Sequence, residues 1–193
     1  MRLYCDHCGY PQKTCICSDI NAVSTSLEIV IIQHEKEASH AKNTARLITL
    51  CIPTTRIVLA NDSIAMQSLS EQCLLKRTAL IYPSEESTPI EKTAPTVLSQ
   101  IDTLILLDGS WKQAFGLVKQ NPWLTELQNF HFTSAPPSNY SIRHTTLNKA
   151  LSTLEATAYA IQCIEKTDVS GLHNAQRALQ NLWQGPTSHR RQL

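Results

Sequence analysis

Glycine is scarce in this chain. Gly9, Gly109, Gly116, Gly171 and Gly185 are the only five in 193 residues, and no two of them form a Gly-rich strand-to-helix loop of the dinucleotide-binding or phosphate-cradling kind. This argues against an ordinary Rossmann nucleotide site. Long apolar runs are also missing. None approaches the roughly 20 residues a bilayer-spanning helix needs, and Met1 to Cys5 carry neither the charged nor the apolar region of a secretory signal, so the sequence predicts a cytoplasmic protein. Excess charge of one sign is absent too: 17 Lys and Arg against 16 Asp and Glu leave a net +1, which is not the balance of a dedicated nucleic-acid binder. Such a partner would need a local basic surface. The tail His189, Arg190, Arg191 is one candidate, with a frayed terminus as the competing reading. No repeat appears, and the Ser-, Thr-, Glu- and Pro-rich stretch Pro83 to Pro95 reads as an excursion within one domain.

What is present is ordinary globular material, with 42% apolar and 17% charged residues. Apolar runs of buried-strand length occur at Leu27 to Gln33, Thr55 to Ala60, Thr78 to Tyr82, Thr103 to Asp108 and Leu127 to Phe132. Amphipathic helical spacing fills the gaps, at His40 to Cys51, Ser110 to Gln120, Leu151 to Glu165 and Gly171 to Trp183. This alternation predicts an α/β fold with a mainly parallel sheet and helices on both faces. Ligands of such sheets bind beyond the carboxyl ends of the strands, so the residues just after each strand carry the functional reading.

A chain of this size folds without disulfides, and in a reducing compartment its seven cysteines point to metal ligands and buried thiols. Cys5 and Cys8 are spaced C-x2-C, and Cys15 and Cys17 follow as C-x-C, which gathers four thiolates within thirteen residues. Zn2+ takes four thiolates tetrahedrally and lets a short coreless segment fold around it. An iron–sulfur cluster is the competing occupant, and His7, between two ligand cysteines, could replace one thiolate but reads first as a bystander. Cys51, Cys73 and Cys163 sit in apolar patterns as small buried residues.

Asp108-Gly109-Ser110-Trp111 turns the fourth candidate strand into a helix. A carboxylate at that edge, shielded by an indole, is a candidate general base; a plain helix cap is the alternative. Ser152 and Glu155 have the spacing of a capping box, which needs no ligand. Asn43, Thr44 and Arg46 open a helix after the first strand, where an anion or simple capping would use them. Arg143 has the fork for a carboxylate or phosphate. His34 and His40 are weaker candidates.

Several segments together resemble the DTW-domain family. They are the four-cysteine head, Asn43-Thr44-x-Arg46-Leu47, Asp108-Gly109-Ser110-Trp111, Ser138-x-Tyr140-x-x-Arg143 and Leu151-Ser152-Thr153-x-Glu155-Ala156, in the family's order. The signature is Asp-x-Thr-Trp; here Ser110 keeps the hydroxyl and loses a methyl. The resemblance implies a tRNA-uridine aminocarboxypropyltransferase, using S-adenosylmethionine and releasing methylthioadenosine. It also implies a SPOUT-like fold with a C-terminal trefoil knot, an exception to the unknotted rule. The expected division is a zinc-binding head over residues 1–22 and a catalytic domain over 23–193. The expected donor pocket is Leu106, Leu107, Ser110, Trp111, Ser152, Thr153 and Glu155, with Asp108 as base. Asn43, Thr44, Arg46, Tyr140 and Arg143 are expected on the tRNA side, and Cys5, Cys8, Cys15 and Cys17 on the metal. A monomer is expected. The competing functions are an RNA methyltransferase with the same donor, and a non-catalytic zinc-containing RNA-binding protein.

Overall fold

The structure is a computed structural model and describes residues 3–142 and 150–183. In chain order the elements are β1 (Glu28–Gln33), α1 (Glu35–Ala38), α2 (Ala45–Cys51), β2 (Arg56–Leu59), α3 (Ser63–Leu75), β3 (Thr78–Ile81), β4 (Thr88–Pro89), α4 (Pro95–Leu98), β5 (Thr103–Asp108), α5 (Trp111–Gln120), β6 (Gln128–His131), α6 (Thr153–Glu165) and α7 (Ser170–Leu182). The six strands form one parallel sheet in the order β2-β1-β5-β3-β6-β4.

Side chains alternate across the sheet, and both faces are buried. Ile29, Ile31, Leu104, Leu106 and Phe130 pack with residues of α2, α6 and α7; Val30, Ile32, Val58, Leu80 and Ile105 pack with residues of α3, α5 and the 3-10 turn Pro122–Glu126. Double coverage is why the central strands read as unbroken apolar runs. Cys8, Tyr10 and Ile16 of the cysteine head join the α2, α6 and α7 side, so the head is packed onto the sheet's own core.

The helix expected from His40 starts at Ala45, with Thr44 at the N-cap position, and the Asn43 side-chain oxygen one residue earlier accepts the Ala45 N–H at 2.8 Å. Helix α3 has no counterpart among the predicted elements. Its apolar residues do not collect on one stripe: Met66, Leu69 and Cys73 are buried while Ile64, Leu74 and Leu75 are exposed. Within the Pro83–Pro95 excursion, the short strand β4 pairs beside β6 at the sheet edge.

Candidate active site

The centre of the sheet sets up the site. β1 and β5 run in register from Glu28 beside Thr103 to Gln33 beside Asp108, so two polar side chains end together. Asp108 is 2% exposed, and its carboxylate accepts hydrogen bonds from Gln33 Nε2 at 2.8 Å and from Thr153 Oγ1 at 2.6 Å. The turn that follows is tight: a Cβ on Gly109 would lie 3.0 Å from the Gln113 Cβ. Ser110 and Gln113 cap α5 reciprocally, each side chain bonding the other's backbone N–H.

A second capping box starts α6, and here the carboxylate does more than cap. Glu155 accepts from the backbone N–H and hydroxyl of Ser152, both at 2.8 Å, from Ser138 Oγ at 2.8 Å and from the Asn139 N–H at 2.7 Å. Gln176 of α7 donates to Ser152 Oγ at 3.0 Å. Three chain segments are thus fastened under the start of α6, and Thr153 is aimed from there at Asp108.

Among the described residues, two hollows flank the Asp108–Trp111 turn. The first is an apolar cleft of about 290 Å³. Ile81, Tyr82 and Pro83 line it at the end of β3, Leu106, Leu107 and Gly109 at the end of β5, and His131 and Phe132 at the end of β6; Trp111 and Ala114 of α5, Thr153 and Ala156 of α6, and Leu151 just before α6 close it. The second is a wider polar groove of about 630 Å³, beyond β1 and β2 and along α5. His34, Glu35, Lys36, Asn61, Ser110, Lys112, Gln113 and Gly116 are among its walls.

Of the expected donor residues, Leu106, Leu107, Trp111 and Thr153 meet at the apolar cleft, Ser110 faces the groove, and Ser152 and Glu155 lie in the α6 cap. Asp108 reaches the cleft through its bond to Thr153 and does not itself line it. Of the residues expected on the tRNA side, Tyr140 meets the segment of Asn43 and Thr44 at the Lys42 carbonyl, and none of the four that are described lines either hollow. Asn43 is buried, with its amide on the Glu37 carbonyl at 2.9 Å; Thr44 is buried and accepts from the Leu154 N–H at 3.4 Å; Tyr140 is buried with its hydroxyl on the Lys42 carbonyl at 2.6 Å. Arg46 lies over the Tyr10 ring at 4.7 Å. Arg143 and the tail residues His189, Arg190 and Arg191 lie outside the described residues. His34 caps α1 through Nδ1 and lines the groove, whereas the His40 Nδ1 takes the Lys42 N–H at 3.2 Å. Gln33, Tyr82, His131 and Phe132 were not singled out from the sequence. Tyr82 and Phe132 follow strand ends and His131 is the last residue of β6, which was the available signal; Gln33 is found only through the pairing register.

The sulfurs of Cys5, Cys8, Cys15 and Cys17 all lie within 4.8 Å of one another, a donor set able to hold a metal ion. Cys5 and Cys17 are 3.6 Å apart and Cys8 and Cys15 3.7 Å. Backbone N–H groups of Cys8 and His7 pull the Cys5 thiol down to about 6, while hydrogen bonding with Cys15 and burial push Cys17 up to about 12. A cation would relieve the crowding of the thiolates. The loop is held by Gly9 at φ 63°, and a Cβ there would run into the Arg46 guanidinium. Burial lifts Tyr10 to about 12, with the Arg46 charge opposing it. Cys51 is raised to about 11 by burial, and Cys73 and Cys163 are raised for the same reason, so these three remain thiols. No described helix is long and apolar enough to cross a membrane.

A DTW-domain family model matches residues 2–189. Over 170 residues the chain is 29% identical to tRNA-uridine aminocarboxypropyltransferase 2 of Mus musculus, which covers 85% of this chain and 57% of that one. The protein of the same name from Macaca fascicularis is 28% identical over 85% of this chain and 57% of its own, and that from Drosophila melanogaster 29% over 83% and 66%. The chain therefore spans about three fifths of the length of the curated relatives it matches. No solved structure matches it.

Proposed function

The chain belongs to the DTW-domain family, and from that premise we propose that it transfers the 3-amino-3-carboxypropyl group of S-adenosylmethionine to N3 of a uridine in tRNA. The observation that carries the reading is the 2.6 Å bond between Thr153 and Asp108. It joins the Asp-Gly-Ser-Trp turn to the Leu-Ser-Thr segment at the rim of an apolar cleft. The relatives' names supply the reaction, and the cleft supplies a fitting place for the donor.

In that place Leu106, Leu107, Trp111 and Phe132 offer apolar surface to the donor's adenine, and Thr153 and His131 offer polar groups at the walls. Uridine N3 attacks the γ-methylene of the methionine arm, the carbon–sulfur bond breaks with its electron pair going to sulfur, and N3 gives up its proton. Methylthioadenosine leaves as a neutral thioether. Thr153 presents its hydroxyl to the cleft, and Asp108 holds that hydroxyl and receives the N3 proton through it, as a general base acting at one remove. Gln33 steadies the other carboxylate oxygen. Orientation of the two reactants supplies most of the acceleration, for which about 7–11 kcal/mol is available in favourable cases.

The cysteines fit zinc. A tetrahedron with Zn–S bonds of about 2.3 Å has sulfur–sulfur edges of ~3.8 Å, beside the 3.6 and 3.7 Å separations found. A multi-iron cluster would interpose its own iron and sulfide atoms and spread the thiolates wider. The proposal includes residues 1–22 as the zinc head, 23–193 as the catalytic domain, a SPOUT-like knotted arrangement, cytoplasmic location and a monomer.

Incubating the protein with S-adenosylmethionine and bulk tRNA tests the reaction. Methylthioadenosine and 3-(3-amino-3-carboxypropyl)uridine are the expected products. Release of S-adenosylhomocysteine instead would make the protein a methyltransferase, and neither product would leave a binding module.

A further inference from the structure

We infer that the outer face of α5, with the polar groove beside it, is the surface that receives the RNA, and that it takes a single-stranded segment with unstacked bases. This rests on the reading of the protein as a tRNA-uridine transferase and adds where the acceptor lies. Chemistry sets the first requirement. N3–H is the hydrogen-bond donor a uridine uses in base pairing, so the reacting base must be unpaired, and its neighbours must be held in a loop or open strand.

α5 is built for that kind of partner. Trp111 and Phe115 are 48% and 61% exposed, one turn apart on the same face, and Lys119 follows one turn later. Lys112 stands beside them, and α5 carries no carboxylate. Across the groove Lys36 adds a third cation. Among the described residues no ion pair joins Lys36, Lys112 or Lys119 to an acid; Glu35, the one acid in the groove wall, lies beside His34. Exposed aromatic rings interleaved with free lysines are what sequence-tolerant binding of single strands uses, with bases stacked on the rings and phosphates on the cations.

Gly116 supplies a separate observation. A glycine inside a helix costs about 1 kcal/mol relative to alanine, and here nothing internal repays it. Its φ is not positive, and a Cβ added there would meet nothing within 4 Å. The space it leaves belongs to the groove, whose wall it forms between Lys112 and Gln120. A partner's backbone passing close to the helix accounts for a glycine that the fold does not need. The route to the reaction is short, because Ser110 lines the groove and Gly109 and Trp111 line the apolar cleft. A strand lying along α5 turns its target base around Trp111 towards Thr153.

The test measures binding of fluorescently labelled tRNA by the full chain, by anisotropy over a salt series, for wild type, Phe115→Ala, Lys112→Ala and Gly116→Leu. S-adenosylmethionine binding by calorimetry runs alongside. Phe115→Ala should weaken tRNA binding roughly tenfold, and Lys112→Ala should make the salt dependence shallower by about 0.7 in log–log slope. Gly116→Leu should raise the melting temperature and weaken tRNA binding, a pairing that a merely structural role for Gly116 would not give. Donor binding should not change in any of the three. Unaltered tRNA affinity in the variants, or a wild type that does not bind tRNA, overturns the inference. So does a variant that shifts sedimentation from dimer to monomer while tRNA affinity holds, since the face would then serve self-association. Methylthioadenosine release by wild type is scored separately: its absence with the binding losses intact would sink the transfer reaction and leave the RNA surface standing.

Discussion

The two hollows on either side of the Asp108–Trp111 turn share one sheet edge and differ in almost everything else. The apolar cleft sits over β3, β5 and β6, between the starts of α5 and α6, and its inner wall is leucine, phenylalanine and tryptophan. The groove sits over β1 and β2 and runs along α5, with lysine, asparagine, glutamine and histidine in its walls. The difference comes from topology. β2 follows β1 on one side of it, β3 stands on the other side of the gap that β5 later fills, and helices after β5 and β6 pack on opposite faces of the sheet. The crevice above β5 therefore lies between two helix starts, while the hollow beyond β1 has α5 along one side. A small apolar cleft suits a small donor, and a wider, more polar groove suits a chain.

The largest effect expected is on the side of the apolar cleft. Asp108→Asn removes the proton acceptor while keeping the shape, and should lower kcat by roughly 10²–10⁴-fold, with tRNA affinity unchanged because the groove is intact. Equal losses of turnover and tRNA affinity would break the division between the hollows. Thr153→Val should follow Asp108→Asn, and Thr153→Ser should restore most of the rate.

Removing the metal comes next. The head packs Cys8, Tyr10 and Ile16 onto the face that carries α2, α6 and α7, so stripping the ion with a chelator should release those side chains, at roughly 1–2 kcal/mol each. A stability loss of about 3 kcal/mol is near 10 °C of melting temperature for a chain of this length. Hydrogen exchange should quicken in α2 and α7 and not in α3 or α5. Uniform quickening would mean that the two faces are not separable. Glu155→Gln should cost less, about 2 kcal/mol, by setting an amide N–H2 against donors that now meet a carboxylate. It should weaken donor binding and leave tRNA binding alone.

Much of this was legible before any coordinates, and the exceptions have physical causes. β1, β3 and β5 are buried on both faces, so their apolar runs announced them. β4 is two residues long and one of them is proline, which no pattern marks. The strand-end rule led to Asp108 and the family resemblance to Leu106 and Leu107, but the partnership of Asp108 with Gln33 depends on how β1 and β5 align across 75 residues of chain, which local sequence does not encode. Asn43 and Tyr140 stood out as polar residues in signature segments. In the structure their polar groups are spent on backbone inside the protein. Conversely, the exposure of Phe115, on which the proposed RNA surface rests, is not legible from its helical spacing.

The smallest effect expected is the control at the other end of the sheet. Glu28 opens β1, far from both hollows, and pairs with Lys76 and with Arg56 Nη1 at 2.9 Å. Lys76 first, and Arg56 with it, hold its carboxyl below the usual carboxylate range. A pKa that is lower in the folded than in the unfolded chain means stability that is present above the unfolded value and lost as pH falls through the folded one. Glu28→Gln should therefore cost about 0.5 kcal/mol at pH 7, the size typical of partly exposed pairs. The gap between the two proteins should close as urea unfolding curves are taken from pH 6 down past pH 4. Donor and tRNA affinity should both be untouched, because neither hollow includes this end of β1. A change in either would show that the carboxyl edge responds to strain at the amino edge, and the two hollows would then have to be treated as one coupled site.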